Sequence, residues 1–458
     1  MTEAGDSTEV FSEEAGRGAI IRSILRMGVP SMIGFAFGNL YDLADAFWLS
    51  RMGAEAVAAV TILAPFLWVM HSANMIVGAG SVAVISRRYG ERDLLRTELA
   101  IRETIILKWI VALIFGLIGF LVTPWVIRLL GAEGEAARMG SVYGRIIFIG
   151  LGFNFSTYSV FTALRGVNNP NRAMILMLGF TALNIVLDPL FIFGWGFFPA
   201  MGVAGAAWAS ILSYAVAFTA GMIMLCGGKA NLRLRLKSEH KIQWPLMMQI
   251  LKIGAPSAIS AASFSTGRTV VMPLIAAFGM ETVAAYGVAT RISSFGVLLL
   301  VGIGLGLSAL IGHVVGSGQR ERARRTADQA ILVGVGIMVV FGLLVILAAG
   351  PIMRRFFDDP AIARTGVELL RILAAGFPFM GLFMMLENIY TGVGENRPAM
   401  FTGILQAWAL EVPAVFLCAK VFHLGPHAVW TAIVGANAVA ALVFYAYFRK
   451  GRWLDVSL

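Results

Sequence analysis

Long charge-poor runs alternate along the chain with short polar breaks. Ile105 to Pro124, Ile331 to Pro351 and Ala428 to Phe448 are the clearest runs. Each is close to the roughly 20 residues that a helix needs to cross about 30 Å of hydrocarbon. Lipid offers the backbone no hydrogen-bond partner, so such runs form helices or closed barrels. The alternating ten-residue strands of a barrel are absent. Runs and breaks together predict twelve helices, over 24–51, 55–88, 101–130, 138–165, 172–195, 202–227, 247–278, 282–315, 328–356, 365–392, 398–423 and 426–448. Several exceed what a bilayer needs, which predicts tilt or protrusion.

The pattern repeats itself. Ile24-Leu-Arg-Met-Gly-Val-Pro-Ser31 returns as Ile250-Leu-Lys-Ile-Gly-Ala-Pro-Ser257, and Gly53-Ala-Glu55 as Gly279-Met-Glu281. Gly80 matches Gly306, Gly90 matches Gly316 and Gly166-Val167 matches Gly392-Val393, each pair 226 residues apart. The predicted class is all-α integral membrane, with twelve transmembrane helices in two homologous six-helix bundles. An even number of helices per half makes the repeat parallel, a form common among transporters. The expected organisation is a disordered tail over 1–18, an N-lobe over 19–226, a basic linker over 227–246, a C-lobe over 247–448 and a second tail over 449–458.

Composition narrows the class further. Hydrophobic residues make up 58% and charged residues 14% of 458, against about 25% charged in soluble domains. The net charge of +10 does not indicate nucleic acid, because the basic residues sit in short loops between apolar runs. One set of loops holds Arg87, Arg88, Arg92 and Arg96, then Arg165 and Arg172, then Lys229, Arg233, Arg235, Lys237 and Lys241, then Arg320, Arg322, Arg324 and Arg325. With twelve crossings these share one side with both termini, which the bias makes cytoplasmic. No cleavable signal is visible, so the expected location is the inner (plasma) membrane. Cys226 and Cys418 lie in or beside apolar segments and indicate no disulfide framework. His71, His240, His313, His423 and His427 form no metal-ligand constellation.

Ionisable residues at membrane depth are costly and mark function by default. Asp42 and Asp45 are three apart in the first helix. Asn184 and Asp188 are four apart in the fifth, and Pro189 removes a backbone donor beside them. Acids and amides in a dry setting, beside a helix that proline bends, can link proton uptake to a change of shape. Asn154 and Ser210 are candidates to complete the cluster, or else simple interhelical hydrogen bonds. The second half differs: at the 226 offset Asp42 becomes Arg268, Asp45 becomes Val271 and Asp188 becomes Ala414. Arg268 reads most simply as a structural partner for a nearby acid. Glu387 and Glu411 are candidates to face a substrate cleft, with Arg268 and Met385 beside them. Met380, Met384 and Met385 suit either a promiscuous pocket or plain packing. Gly302-x-Gly304-x-Gly306 lies inside an apolar helix and signals close helix packing.

Gly28-x-Pro30, Tyr41-x-x-x-Asp45, Arg165-Gly166 with Asn169-Pro170, Asn184-x-x-x-Asp188-Pro189-Leu190-Phe191-Ile192-Phe193 and Gly205-Ala206-Ala207-x-Ala209-Ser210 follow one another in this order. In order and spacing the chain, over about residues 18–450, resembles the multidrug and toxic compound extrusion family. Asn184, Asp188 and Asp45 resemble its prokaryotic branch related to the DNA-damage-inducible members. The resemblance implies two six-helix lobes around a central cleft and export of organic cations and amphipathic toxins against a proton or sodium gradient. It places ion coupling in the N-lobe, at Asp45, Asp188, Asn184 and Asp42, supported by Tyr41, Asn154 and Ser210. Members of the sodium-coupled branch carry an acid on helix seven, where this chain has Phe264 and Ser265. Protons are therefore the expected coupling ion, with sodium at Asp45, Asn184 and Asp188 the alternative. No cofactor, no nucleic acid and no enzymatic role is expected, and the expected working form is a monomer in the lipid bilayer. The competing readings are a lipid or lipid-linked glycan flippase, which calls for a more cationic interior, and a membrane-embedded lipid-modifying enzyme, which calls for a catalytic constellation.

Overall fold

The computed structural model describes residues 16–195, 198–228, 231–235 and 241–456. The expected disordered tail lies mostly outside this range, as do Lys229, Lys237 and His240. Helices account for nearly all of the described residues, and no strand occurs among them. In chain order they are α1 (Arg17–Ser50), α2 (Ala54–Gly90), α3 (Leu94–Leu129), α4 (Gly134–Ile149), α5 (Leu151–Gly166), α6 (Pro170–Phe193), α7 (Val203–Cys226), α8 (Trp244–Ala276), α9 (Met280–Gly316), α10 (Arg320–Phe356), α11 (Pro360–Val393), α12 (Arg397–Val421) and α13 (Pro426–Arg449).

Ten of these helices are long and apolar enough to cross a membrane, and α4 with α5 makes an eleventh span bent by 51°. The bend falls at Gly150, between two helices that the sequence reads as one. The twelfth span, α8, is 33 residues long. Lys252, Arg268 and the run Ser263, Ser265, Thr266, Thr269 keep it from the sustained apolarity that the other spans show. The spans are those expected, in two sets of six. Several begin earlier than the apolar runs do: α3 at Leu94, α10 at Arg320 and α1 at Arg17. Their charged first turns extend the helix past the apolar run, with Arg17, Arg96, Arg320, Glu321, Arg324 and Arg325 exposed. Leu113, Leu117, Leu121 and Leu129 on α3, and Val340, Leu343, Leu344 and Leu347 on α10, are exposed at helical spacing. Such stripes suit lipid.

The chain divides into two compact units, Val29–Ala255 and Met1–Gly28 with Pro256–Leu458. In the first unit Leu49, Leu63, Ile127, Tyr143, Ile192 and Val203 form a core shared by six helices. In the second, α11 packs against α9, α10 and α13, and Phe444 stacks on Tyr390 with ring centroids 5.2 Å apart. The tail after α13 folds back. Trp453 is buried under Phe448, 5.2 Å between centroids.

Both unit boundaries fall inside a Gly-x-Pro motif, Gly28-Val29-Pro30 and Gly254-Ala255-Pro256. The start of α1 belongs with the second repeat, and the start of α8 with the first. Bare glycines make both crossings close. A Cβ on Gly306 would overlap the carbonyl of Met27, and one on Gly28 would sit 3.2 Å from the Ile303 Cα. Likewise a Cβ on Gly80 would overlap the Ile250 carbonyl, and one on Gly254 the Ile76 carbonyl. The crossing partners Gly28 and Gly254, and Gly80 and Gly306, are repeat mates.

Candidate functional site

Four helices of the first unit, α1, α5, α6 and α7, meet around the first-half acids. Gly34 lets α1 pack closely on α6, where its Cβ would stand 2.9 Å from the Met177 sulfur. One turn on, the Thr181 hydroxyl donates to the Phe37 carbonyl at 3.1 Å. Tyr41 Oη and Ser210 Oγ are 2.7 Å apart and tie α1 to α7. Thr157 donates to the Tyr214 carbonyl at 2.9 Å and ties α5 to α7. Beneath the acids lie stacked rings: Phe180 and Tyr214 are 4.5 Å apart, and Tyr41 is 5.1 Å from Phe180.

Above these rings Asp45, Asn184 and Asp188 are buried. The Asn184 Nδ2 donates to Asp188 Oδ1 at 3.1 Å. Asp45 Oδ1, Asn184 Oδ1 and Asp188 Oδ2 are buried without a hydrogen-bond partner. Asp45 and Asp188 lie within electrostatic reach of each other. All three orphaned atoms are acceptors, and a buried unpaired acceptor is costly. A proton on a carboxyl or a hard monovalent cation among the oxygens would relieve that cost. Pro189 carries no N–H, so the Ile185 carbonyl lacks its helical donor. The helix then ends at Phe193 on the left-handed Gly194, φ 73°.

The other expected members are placed differently. Asp42 is on the same helix as Asp45 but exposed. Ser210 holds Tyr41 and not an acid. Asn154 on α5 is half-buried, its Oδ1 unpartnered, and no hydrogen bond links it to the acids. Tyr143 on α4, which the sequence reading passes over, stands beside Asp45 and within electrostatic reach of Asp42 and Asp188. It precedes Asn154 by eleven residues, three helical turns, and that spacing is the signal for it. Lys108 is a second omission. It is 1% exposed inside an otherwise apolar run and bonds Asn74 Oδ1 at 2.5 Å.

In the second unit Arg268 pairs with no acid among the described residues. Its guanidinium lies over the Phe264 ring, 4.8 Å from the centroid. This replaces the expected structural ion pair, since an aromatic face one turn away already holds the cation. Met385 is fully buried against Gly334. It is packing and has no surface to offer a ligand. Glu387 is half-buried and Glu411 buried. Gly304 faces Asn388, and Gly306 faces Met27, so the glycine run serves helix packing. No group of three or more His, Cys, Asp or Glu side chains converges as a metal site among the described residues. Cys226 and Cys418 are free.

The MatE family profile matches residues 30–190 and again 256–417. The chain belongs to the MatE family. Among curated relatives it is 26% identical to the probable multidrug resistance protein NorM of Thermotoga maritima, over 95% of this chain and 93% of that one. It is 24% identical to the probable multidrug resistance protein YoeA of Bacillus subtilis, over 96% of each. Among solved structures, a MATE transporter in the bent conformation superposes with a TM-score of 0.88 at 27% identity, covering 96% and 97% of the two chains. A MOP-superfamily transporter from Pyrococcus furiosus, described by a reversed polarity of its binding pocket, gives 0.85 at 27% identity, covering 95% and 96%. Membership of the MatE family makes this multi-pass chain a transporter and not an enzyme.

The two MatE matches begin 226 residues apart and end 227 apart. The structure supplies the extra residue: Leu405–Glu411 of α12 is π-helical, a second such stretch, Leu417–Val421, follows, and a π turn inserts one residue into a helix. Burial follows the insertion. Phe180 and Thr181 match buried Gln406 and Ala407 at offset 226. Asn184 and Asp188 match buried Glu411 and Val415 at offset 227, whereas Leu410 and Ala414 are only half-buried. The counterpart of Asp188 is thus Val415 in place of the expected Ala414. It too is apolar, so the three orphaned oxygens have no copy in the second half.

Proposed function

We propose that this MatE transporter exports amphipathic organic cations and related toxins by antiport, and that protons entering at Asp45, Asn184 and Asp188 drive it. The observation that carries the reading is the trio of buried, unpartnered oxygens on α1 and α6, beside Pro189, which costs the continuous helix α6 one backbone hydrogen bond. When the carboxyls are ionised they repel each other and call for a cation. When protonated they can close onto neighbouring acceptors, and a helix that proline frees from one hydrogen bond can follow. The names of its relatives as multidrug resistance proteins support the substrate class. Sodium is the second reading, because carboxylate and amide oxygens also suit a hard cation. Tyr41, Ser210 and Tyr143 would hold the site in shape, and Asp42 would meet the ion first. The repeats over 19–226 and 247–448, joined by the basic linker, make the two lobes, apart from the starts of α1 and α8, which pack with the opposite repeat. The protein works as a monomer in the inner membrane with both termini in the cytoplasm, as the Lys/Arg bias supports.

The deciding experiment is dye efflux from liposomes holding the purified protein. One set has only a proton gradient, the other only a sodium gradient. Efflux under the proton gradient alone supports proton coupling. Full activity with sodium alone, the proton gradient collapsed, overturns it and makes the three residues sodium ligands.

A further inference from the structure

The inserted residue in α12 turns Glu411 into the inward-facing register that Asn184 occupies in the first half. The same repeat relation puts Arg268 where the first half has Asp42. The two charges flank one close helix contact. A Cβ on Gly267 would stand 2.9 Å from the Cβ of Ala407, and Glu411 follows Ala407 by four residues. Glu411 is 5% exposed and makes no hydrogen bond or ion pair among the described residues. Arg268 is held only by the Phe264 ring. They lie within electrostatic reach of each other and of Tyr286 on α9, yet not in ion-pair contact. Gln406, one face over, is already spent on Asn437 at 2.6 Å.

Glu411 and the exposed Arg268 are not spent on each other, so both charges stay open to a partner. A simple cation would meet Glu411 but be repelled by Arg268. A simple anion would meet the reverse. A ligand bearing both charges satisfies both groups at once. We infer that Arg268, Tyr286 and Glu411 form a second binding site, within the second unit, for amphipathic zwitterions: an ammonium or iminium group toward Glu411 and a carboxylate toward Arg268, with Phe264 beneath the apolar body. The inference rests on the reading of this chain as an exporter of amphipathic compounds and narrows its substrate class.

The test is fluorescence polarisation of two matched dyes on the purified, detergent-solubilised chain, with no gradient present. Tetramethylrhodamine carries a free carboxylate and is a zwitterion, and its methyl ester is a cation of the same shape. The wild type should bind the zwitterion more tightly. Arg268→Gln should weaken the zwitterion about tenfold and leave the ester unchanged or improved, whereas Arg268→Lys should keep most of the preference. Glu411→Gln should weaken both dyes. Retained ester binding by Arg268→Gln shows that this variant is folded. If Arg268→Gln affects both dyes equally, or neither, the inference is overturned. The same holds if Glu411→Gln binds both dyes as the wild type does. The coupling reading fails separately: Asp45→Asn and Asp188→Asn touch gradient-driven efflux and should leave this dye preference intact.

Discussion

At the scale of single residues, the first-half site separates charge from shape. Asp45→Asn and Asp188→Asn keep the side-chain volume and remove the titratable group. Each should abolish gradient-driven efflux by at least about tenfold while dye binding and gel-filtration behaviour persist. Wild-type efflux by both variants would place the coupling elsewhere. Ser210→Ala leaves the Tyr41 hydroxyl without its 2.7 Å partner. The expected cost is about 1 kcal/mol, read as a lower thermal midpoint with efflux largely retained. Asn184 and Asp188 were legible in the sequence because two polar residues four apart in an apolar run can only share a face. Tyr143 was not, since one tyrosine in a largely apolar run draws no notice unless its eleven-residue spacing to Asn154 is counted. Lys108 escaped because one cation barely changes the hydropathy of its run. Met385 looked like a ligand contact because burial within a lobe cannot be told from burial at a pocket by residue type.

At the scale of helices, the spans were legible because a bilayer allows little else, and their ends shifted most where charged turns extend the helix past the apolar run. The π-helical stretch of α12 was not legible, since a one-residue insertion leaves the apolar pattern nearly intact. It can be tested directly. Deleting Leu410 removes the inserted residue, and the helix beyond it keeps its phase against Asn184 and Asp188. That variant should fold and insert at near wild-type yield. Deleting Ile185 from the regular helix α6 turns Asp188 by about 100° and should abolish efflux. Equal damage from both deletions would show that α12 tolerates no change of length. The crossings are tighter still. Gly254→Val and Gly80→Val each drive a side chain into a backbone carbonyl. Both should cost several kcal/mol and sharply reduce the monodisperse fraction, whereas Gly53→Ala, with nothing near its Cβ but a φ of 119°, should cost about 1–2 kcal/mol.

At the scale of the molecule, two repeats with one ionic site make the halves unequal partners. The first half carries the orphaned oxygens and the second carries Arg268 and Glu411. Orientation belongs to this scale as well. Cysteines placed at the exposed positions Arg235 and Arg325 should react with a membrane-impermeant reagent only when cells are opened, and labelling of intact cells would reverse the topology. The exchanged starts of α1 and α8 bear on how such a chain is made. When the start of α8 leaves the ribosome, its partner around Gly80 is already in place. The start of α1 has to wait for Ile303 and Gly306, some 275 residues behind it. At roughly 5–20 residues per second that is on the order of tens of seconds. During that interval residues 17–28 lack their packing surface. Nascent chains stalled before residue 303 should leave this segment open to protease, and chains stalled well beyond residue 316 should shield it. A pair of contacts that is symmetric in space is therefore ordered in time, and the first helix to be synthesised is among the last to be finished.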